Sequence, residues 1–386
     1  MKLLAVLGTR PEAVKLAPVL RTLLGESGAR THICVTGQHR HLTHPVLDFF
    51  SLYADIDLEV MAPQQGLNPL AARLIDRLDP VLVKAAPDRV IVQGDTTSAM
   101  AAALAAFHRR IPVAHVEAGL RTWRRAEPWP EEYNRRAIAL IADLHFAPTR
   151  GARDNLAAER LAGEVFITGN SGIDALDMVL GRLAAEPALA AATEAALPPR
   201  VDERHEILVT AHRRESFGAP FQAICTALAA LAEREDVEIL FPLHPNPQLR
   251  GEAERALGGR ARIRLLPPLD LACFVRLMQR ARLVLTDSGG VQEEAVALGR
   301  DVLVLRDATE RPEGIEAGAA LRVGTDPARI LHAVGALLDA PVLPATRSHL
   351  YGDGRAAERI VAGLMGREVE EFARDWPRIE GLRRIG

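Results

Sequence analysis

Leu283-Val284-Leu285-Thr286-Asp287-Ser288-Gly289-Gly290-Val291-Gln292-Glu293-Glu294-Ala295-Val296-Ala297-Leu298-Gly299 reads as a strand, a tight turn and a helix. The apolar run before Thr286 fits a buried strand. Ser288 is a candidate N-cap, the helix is expected from about 291 to 298, and Gly299 stands where a C′ glycine belongs. Paired glycines let the backbone approach a ligand closely. Such a turn aims backbone N–H groups and the positive end of a helix dipole at an anion, most often a phosphate. Glu294, near the first turn, is placed to reach past phosphates to a sugar hydroxyl. A lone Ser-Gly-Gly is also what any tight turn uses, so the reading depends on the rest of the chain.

Working outward, strand and helix patterns alternate over all 386 residues, which predicts α/β architecture with parallel sheets wrapped by helices. The length allows two ordinary domains. An alanine-rich helix ending in Leu197-Pro198-Pro199-Arg200 reads as a hinge-like connector between two α/β halves. The net charge of −3 supplies no basic field for nucleic acid. Cys34, Cys225 and Cys273 lie scattered in apolar contexts without metal spacing, which suits a reducing cytosol. The first strand, residues 3–7, is too short for a signal peptide's apolar region, and no run reaches membrane-spanning length. His39, His41 and His44 have no nearby cysteine or carboxylate to complete a metal site. A strand-linked Gly-x-Gly-x-x-Gly and a Walker-type loop are both missing, so no dinucleotide cofactor is expected.

Polar residues gather after predicted strands in both halves, the edge where open α/β sheets bind ligands. Facing halves would form a pocket in a cleft between domains. In the first half, Gly8-Thr9-Arg10-Pro11-Glu12 and Lys15 open a helix, and cations there can meet a diphosphate or remain surface charges. Asp95 either N-caps the helix after it, with Thr96 or Thr97 helping, or acts chemically. Glu117 directly follows an apolar strand and has no capping partner in view. Glu131 and Glu132 both favour a helix dipole, so one of them at most is expected to be chemical. In the second half, His212 stands between a strand and two arginines. His244 is flanked by prolines and is a candidate for substrate binding.

Assembled, these stretches resemble the non-hydrolysing UDP-N-acetylglucosamine 2-epimerases over nearly the whole chain. The motifs are Gly8-Thr9-Arg10-Pro11-Glu12 with Lys15, Gln93-Gly94-Asp95-Thr96-Thr97, His115-Val116-Glu117-Ala118-Gly119-Leu120-Arg121 and Pro130-Glu131-Glu132 with Asn134-Arg135. They continue with Thr168-Gly169-Asn170, His212-Arg213-Arg214-Glu215, Asp287-Ser288-Gly289-Gly290 with Glu293-Glu294, and Glu310-Arg311-Pro312-Glu313. The resemblance implies two Rossmann-like domains in a glycosyltransferase-B arrangement. The first would span residues 1–170 and the second 171–364, with a helix over about 365–386 crossing back to the first. It further implies interconversion of UDP-GlcNAc and UDP-ManNAc, usually by a homodimer, with no cofactor and no metal.

Carried over position by position, Arg10, His212, Ser288, Gly289, Gly290 and Glu294 would hold UDP, Glu294 through the ribose. The segment near Leu269 and Phe274 would meet uracil. Lys15, Asp95, Glu117, Glu131, Arg135 and Arg311 would line the sugar and diphosphate site. Asp95, Glu117, Glu131 and His212 are the implied catalytic residues. The implied route is elimination of UDP to a 2-acetamidoglucal and re-addition, inside a closing cleft. Some family members bind a second UDP-GlcNAc as activator near Thr36-Gly37-Gln38-His39-Arg40. Here Met61-Ala62-Pro63-Gln64-Gln65 lacks the arginine those members place nearby, so this activation is not expected. A glycosyltransferase of the same architecture, a hydrolysing epimerase and a nucleotide-sugar sensor are the rival readings.

Overall fold

The computed structural model describes residues 1–38, 40–62, 65–201, 203–213, 217–341 and 345–372. Two compact units divide the chain inside one helix, between Met178 and Val179, and the chain returns to the first unit at Tyr351. The expected boundary at 170/171 lies eight residues before this division. Each unit is a parallel α/β sheet with helices on it, the Rossmann-like class that the alternation predicts.

In the first unit, seven strands are arranged β3-β2-β1-β4-β5-β6-β7. They are β1 (Lys2–Leu7), β2 (Arg30–Val35), β3 (Ile56–Asp57), β4 (Arg89–Gln93), β5 (Val113–Val116), β6 (Leu144–Ala147) and β7 (Glu164–Ile167). Leu3, Leu4, Ala5, Val6 and Leu7 of β1 are all buried, as a strand covered on both faces requires. β1 is followed by α1 (Arg10–Leu24) and β4 by α4 (Thr97–His108). Half of α4 is alanine, and its buried face packs into the cluster formed by Leu4, Val6, Val90 and Val92. Small side chains let that helix lie close to the sheet. Strand order reverses next to β1, so the ends of β1 and β4 open a switch point, the usual ligand position in such sheets.

In the second unit the order is β10-β9-β8-β11-β12-β13, again parallel. These strands are β8 (His205–Thr210), β9 (Val237–Pro242), β10 (Ile263–Leu266), β11 (Leu283–Thr286), β12 (Asp301–Val304) and β13 (Ala320–Arg322). β8 and β11 flank its switch point with Thr210 paired to Thr286. The alanine-rich stretch is helical, as its composition predicts. α7 (Ser171–Ala185) contains the division between the units, and α8 (Pro187–Ala196) belongs to the second. α8 is held to α11 (Leu271–Arg280) by Arg276 on Glu194, and Arg280 reaches the Pro198 carbonyl at 3.2 Å.

Of the helix expected over about 365–386, only residues 365–372 are described, and these are not helical. The returning helix is α15 (Ala356–Leu364); residues 367–372 run on without helix, and 373–386 lie outside the described residues. Arg359 fastens this segment, giving paired hydrogen bonds to Asp353 at 2.6 and 2.8 Å and another to the Thr168 carbonyl at 3.2 Å. At its end the Phe372 amide donates to the Ile167 carbonyl at 2.7 Å, and the Ile167 amide donates to Glu371 at 3.0 Å. Among the described residues, no helix is long and apolar enough to cross a membrane.

Candidate active site

In the second unit, the turn after β11 is tied to the turn after β8. Thr210 and Thr286 share a hydroxyl–hydroxyl bond of 2.6 Å, and the Ser288 amide donates to Thr286 Oγ1 at 2.9 Å. Asp287 is fully buried and accepts the backbone amides of His212 and Arg213, each at 2.8 Å. His212 Nδ1 lies 3.4 Å from Asp287 Oδ1. The His212 ring stacks on His244, with centroids 5.6 Å apart and planes 10° apart. The two histidines that sequence reasoning treated separately therefore form one imidazole stack, and His244 Nδ1 is fixed by accepting from the Asn246 amide at 3.2 Å.

α12 runs Gly289–Ala297, starting two residues earlier than expected. Ser288 is its N-cap by backbone position, but its hydroxyl makes no capping hydrogen bond. Gly299 follows with φ +68, the left-handed backbone a C′ glycine supplies. Over the start of this helix lies Arg311. A Cβ added to Gly289 would meet Arg311 Nη1 at 2.2 Å, so only glycine fits beneath the guanidinium. Arg311 Nε donates to Glu293 at 2.8 Å and its Nη1 donates to Glu310, which also accepts from Arg306 at 2.9 Å. All four side chains are buried. Two arginines and two glutamates balance formally, so the guanidinium is held in place without an uncompensated buried charge. A helix N-terminus with a positioned guanidinium is suited to a phosphate. Glu294 sits half-buried on the same helix turn. Leu269 and Phe274, also half-buried, follow β10, two strands from β8 in sheet order.

In the first unit, Glu117 stands directly after β5 with φ +64, an uncommon backbone for a side chain of this size. Its carboxylate is surrounded by donors. Lys15 Nζ and Asn170 Nδ2 (2.9 Å) reach Oε1, and Gln93 Nε2 reaches Oε2 at 2.6 Å. α1, β4, β5 and the turn after β7 thus converge on one acid. Asp95 pairs with buried Arg135 at 2.5 Å, and Asn134 donates to the Asp95 carbonyl at 2.9 Å. The alternative of Asp95 as N-cap is overturned: Thr96 caps α4, accepting from the Ala99 amide at 3.0 Å.

Of the neighbouring glutamates in α5 (Glu131–Ile141), Glu132 is the structural one. Fully buried, it accepts the Thr122 and Trp123 amides at 3.0 and 3.2 Å and lies 3.4 Å from Arg135. Glu131 remains half-exposed in the first turn.

Arg10 begins α1 and is partly exposed, while Glu12 two residues on is buried. Burial pushes the Glu12 carboxyl up to about 7 against the pull of its hydrogen bonds. His115 is buried with its pKa lowered to about 3 by desolvation, so it is neutral, and Nε2 bonds to the Gly94 carbonyl at 2.7 Å. Among the described residues, no group of three or more His, Cys, Asp or Glu could hold a metal ion. His39, Pro63, Gln64, Arg214 and Glu215 lie outside the described residues.

Sequence reasoning quoted Gln93, Asn170, Asp287, Glu293 and Glu310 inside motifs but gave them no task. The available signal was charge: a polar amide or acid in an otherwise apolar context, next to a candidate residue of opposite character, has to be satisfied internally.

Fold and site together define a two-unit Rossmann-like protein with an anion-suited helix start on one unit and gathered carboxylates on the other. A family model described as UDP-N-acetylglucosamine 2-epimerase matches residues 21–365. The UDP-N-acetylglucosamine 2-epimerase of Escherichia coli O157:H7 is 46% identical over 374 residues, covering 96% of this chain and 100% of that protein. A crystal structure of UDP-GlcNAc 2-epimerase from Neisseria meningitidis, bound to UDP-GlcNAc, superposes with a TM-score of 0.92 at 40% identity, covering 95% of this chain and 100% of that one. The Methanocaldococcus jannaschii enzyme in complex with UDP-GlcNAc and UDP gives 0.85 at 32% identity, with the same coverage. The chain belongs to the UDP-N-acetylglucosamine 2-epimerase family.

Proposed function

We propose that this protein interconverts UDP-GlcNAc and UDP-ManNAc at C2 and keeps the sugar attached to UDP rather than releasing it. The observation that carries this reading is the Glu117 cluster. A carboxylate fixed by Lys15, Asn170 and Gln93, with the Asp95–Arg135 pair following the neighbouring strand β4, is more acid chemistry than nucleotide binding needs.

The C2 proton of the sugar is not acidified by a carbonyl, so direct abstraction is slow. Elimination solves this: the C2–H bond breaks to a base as the C1–oxygen bond breaks to UDP, and a C1=C2 double bond forms. Re-addition of UDP at C1, with a proton delivered to the opposite face of C2, gives the epimer. Proton removal and return are assigned to Asp95, Glu117 and Glu131 as a group. Charge on the departing diphosphate would be met by Arg311, His212, Arg10, Lys15 and the start of α12 through Ser288, Gly289 and Gly290. Glu294 would take the ribose, Leu269 and Phe274 the base, and His244 would support His212 through the stack. The reaction as written requires no nicotinamide and no metal. The cysteines are free and buried, which supports a cytoplasmic setting, and a homodimer is part of the proposal.

The test is proton NMR of UDP-GlcNAc with the protein in D₂O. Both UDP-sugars should acquire deuterium at C2. Free N-acetylmannosamine with UDP would indicate the hydrolysing reaction, and product without exchange would overturn the elimination route.

A further inference from the structure

The two units treat their switch-point helix starts differently. In the second unit no side-chain cap fills the start of α12. In the first unit the counterpart of that turn by sheet order is the one after β4, while the turn between β1 and α1, across the switch point from it, is filled by the chain itself. Glu12 Oε2 accepts the Gly8 amide at 3.0 Å and the Thr9 amide at 2.7 Å, the donors a phosphate would take in such a turn. Glu12 Oε1 accepts the Thr96 hydroxyl at 2.8 Å, and Thr96 in turn caps α4. One buried carboxylate therefore joins the turn after β1 to the turn after β4, across the strand pair where the sheet order reverses. The residues it fixes, Thr9 and Thr96, are the immediate chain neighbours of Arg10 and Asp95.

We infer that Glu12 is a positioning residue, an internal acceptor that occupies the phosphate-type turn of the first unit and holds Arg10 and Asp95 in register for the sugar chemistry. It touches no substrate. Its task is to supply acceptors to three donors that would otherwise be left buried and unmet, and to leave the helix start at Ser288-Gly289-Gly290 as the anion site. This inference rests on the proposed epimerisation for its kinetic readout, but the occupancy itself can be measured without turnover.

The experiment compares the full-length protein with Glu12→Ala, Glu12→Gln and Glu12→Asp, using sodium formate as the probe. Glu12→Ala is expected to lose roughly 100-fold in kcat, the scale that an ångström of misplacement costs, while KM changes by about tenfold or less, because among the proposed nucleotide contacts only Arg10 and Lys15 lie on the first unit. Tens of millimolar formate should restore kcat at least about fivefold in Glu12→Ala and leave the unsubstituted protein unchanged. Formate should also raise the Tm of Glu12→Ala alone, by mass action on an emptied site. Glu12→Gln, which keeps an acceptor in place, should stay within about fivefold of the unsubstituted rate. Should Glu12→Ala fail to fold, Glu12→Asp decides by kcat alone, since it is one methylene too short to span both turns and its own carboxylate leaves no room for formate. A kcat for Glu12→Ala, or for Glu12→Asp in its place, within twofold of normal overturns the inference, and so does loss in a folded Glu12→Ala without formate rescue or Tm response. Absence of C2 exchange in the unsubstituted protein would instead sink the epimerase reading, leaving the Tm comparison to judge Glu12.

Discussion

Replacing Gly289 by alanine adds one methyl group where the structure leaves no room for it. The new Cβ would lie 2.2 Å from Nη1 and 2.5 Å from Cζ of Arg311, more than 1 Å inside ordinary contact. Arg311 cannot swing away cheaply, because Glu293 and Glu310 hold it and both are buried. Either the helix start shifts, an overpacking cost of about 1–3 kcal/mol, or a charge-assisted hydrogen bond is broken at about 1.5–3 kcal/mol. A loss of about 2–3 kcal/mol is expected, which for a unit of this size lowers Tm by about 4–12 °C. Displacing the guanidinium should also weaken UDP binding by roughly 10- to 100-fold, at about 1.4 kcal/mol per factor of ten. Calorimetric titration with UDP and thermal melts measure both. Gly335→Ala is the control: it lies in a helix of the same unit, and its added Cβ meets nothing within 4 Å. That control should leave UDP binding unchanged and hold or raise Tm. UDP affinity within threefold of normal in Gly289→Ala, with an unshifted melt, would refute the placement of Arg311 over the helix start.

Three further outcomes are expected. Glu132→Ala removes the acceptor for the Thr122 and Trp123 amides and leaves Arg135 without its neighbour, so urea melts should show a loss of about 2–4 kcal/mol; a loss under 1 kcal/mol would contradict a structural role. Asp95→Asn and Glu117→Gln should each retain UDP binding while losing at least about 100-fold in kcat, and near-normal turnover in both would reject the carboxylate assignment. Glu12 is raised in the folded chain from 4.5 to about 7, so its contribution to stability is fully present below pH 4.5 and is lost as pH rises through 7. That span corresponds to about 3 kcal/mol; from pH 4.5 to 8, Glu12→Gln should therefore gain about that much relative to the unsubstituted protein in urea melts. A difference independent of pH would show that Glu12 does not titrate in that range.

The sheet class was legible because parallel strands buried on both faces leave continuous apolar runs, as in residues 3–7 and 283–286. The polar edge was legible too, since each strand end announces itself by an abrupt change to glycine, acid or base. What could not be read was pairing across long separations. Nothing near Lys15 in the chain points to Glu117, 102 residues away, nor does anything near Arg311 point to Glu293. For Asp95 a cap stood as the alternative to chemistry, because aspartate caps helices well in general. The adjacent threonine took that task, and a buried arginine 40 residues on took the aspartate. The connector was legible as alanine-rich helix, but nothing in its composition tells that α8 is tied to α11 through Glu194 and Arg276.

The hydrogen bonds from residues 371 and 372 to Ile167 have a consequence for how the chain is made. β7 is the outermost strand of its sheet, and the polypeptide that meets its open side arrives about two hundred residues later. During synthesis the first unit must therefore wait, one border bare, while the whole second unit emerges. An uncovered strand border is where chains stick to one another. The first unit is thus begun first and finished last, and a ribosome halted after residue 178 would release a sheet without its closing segment.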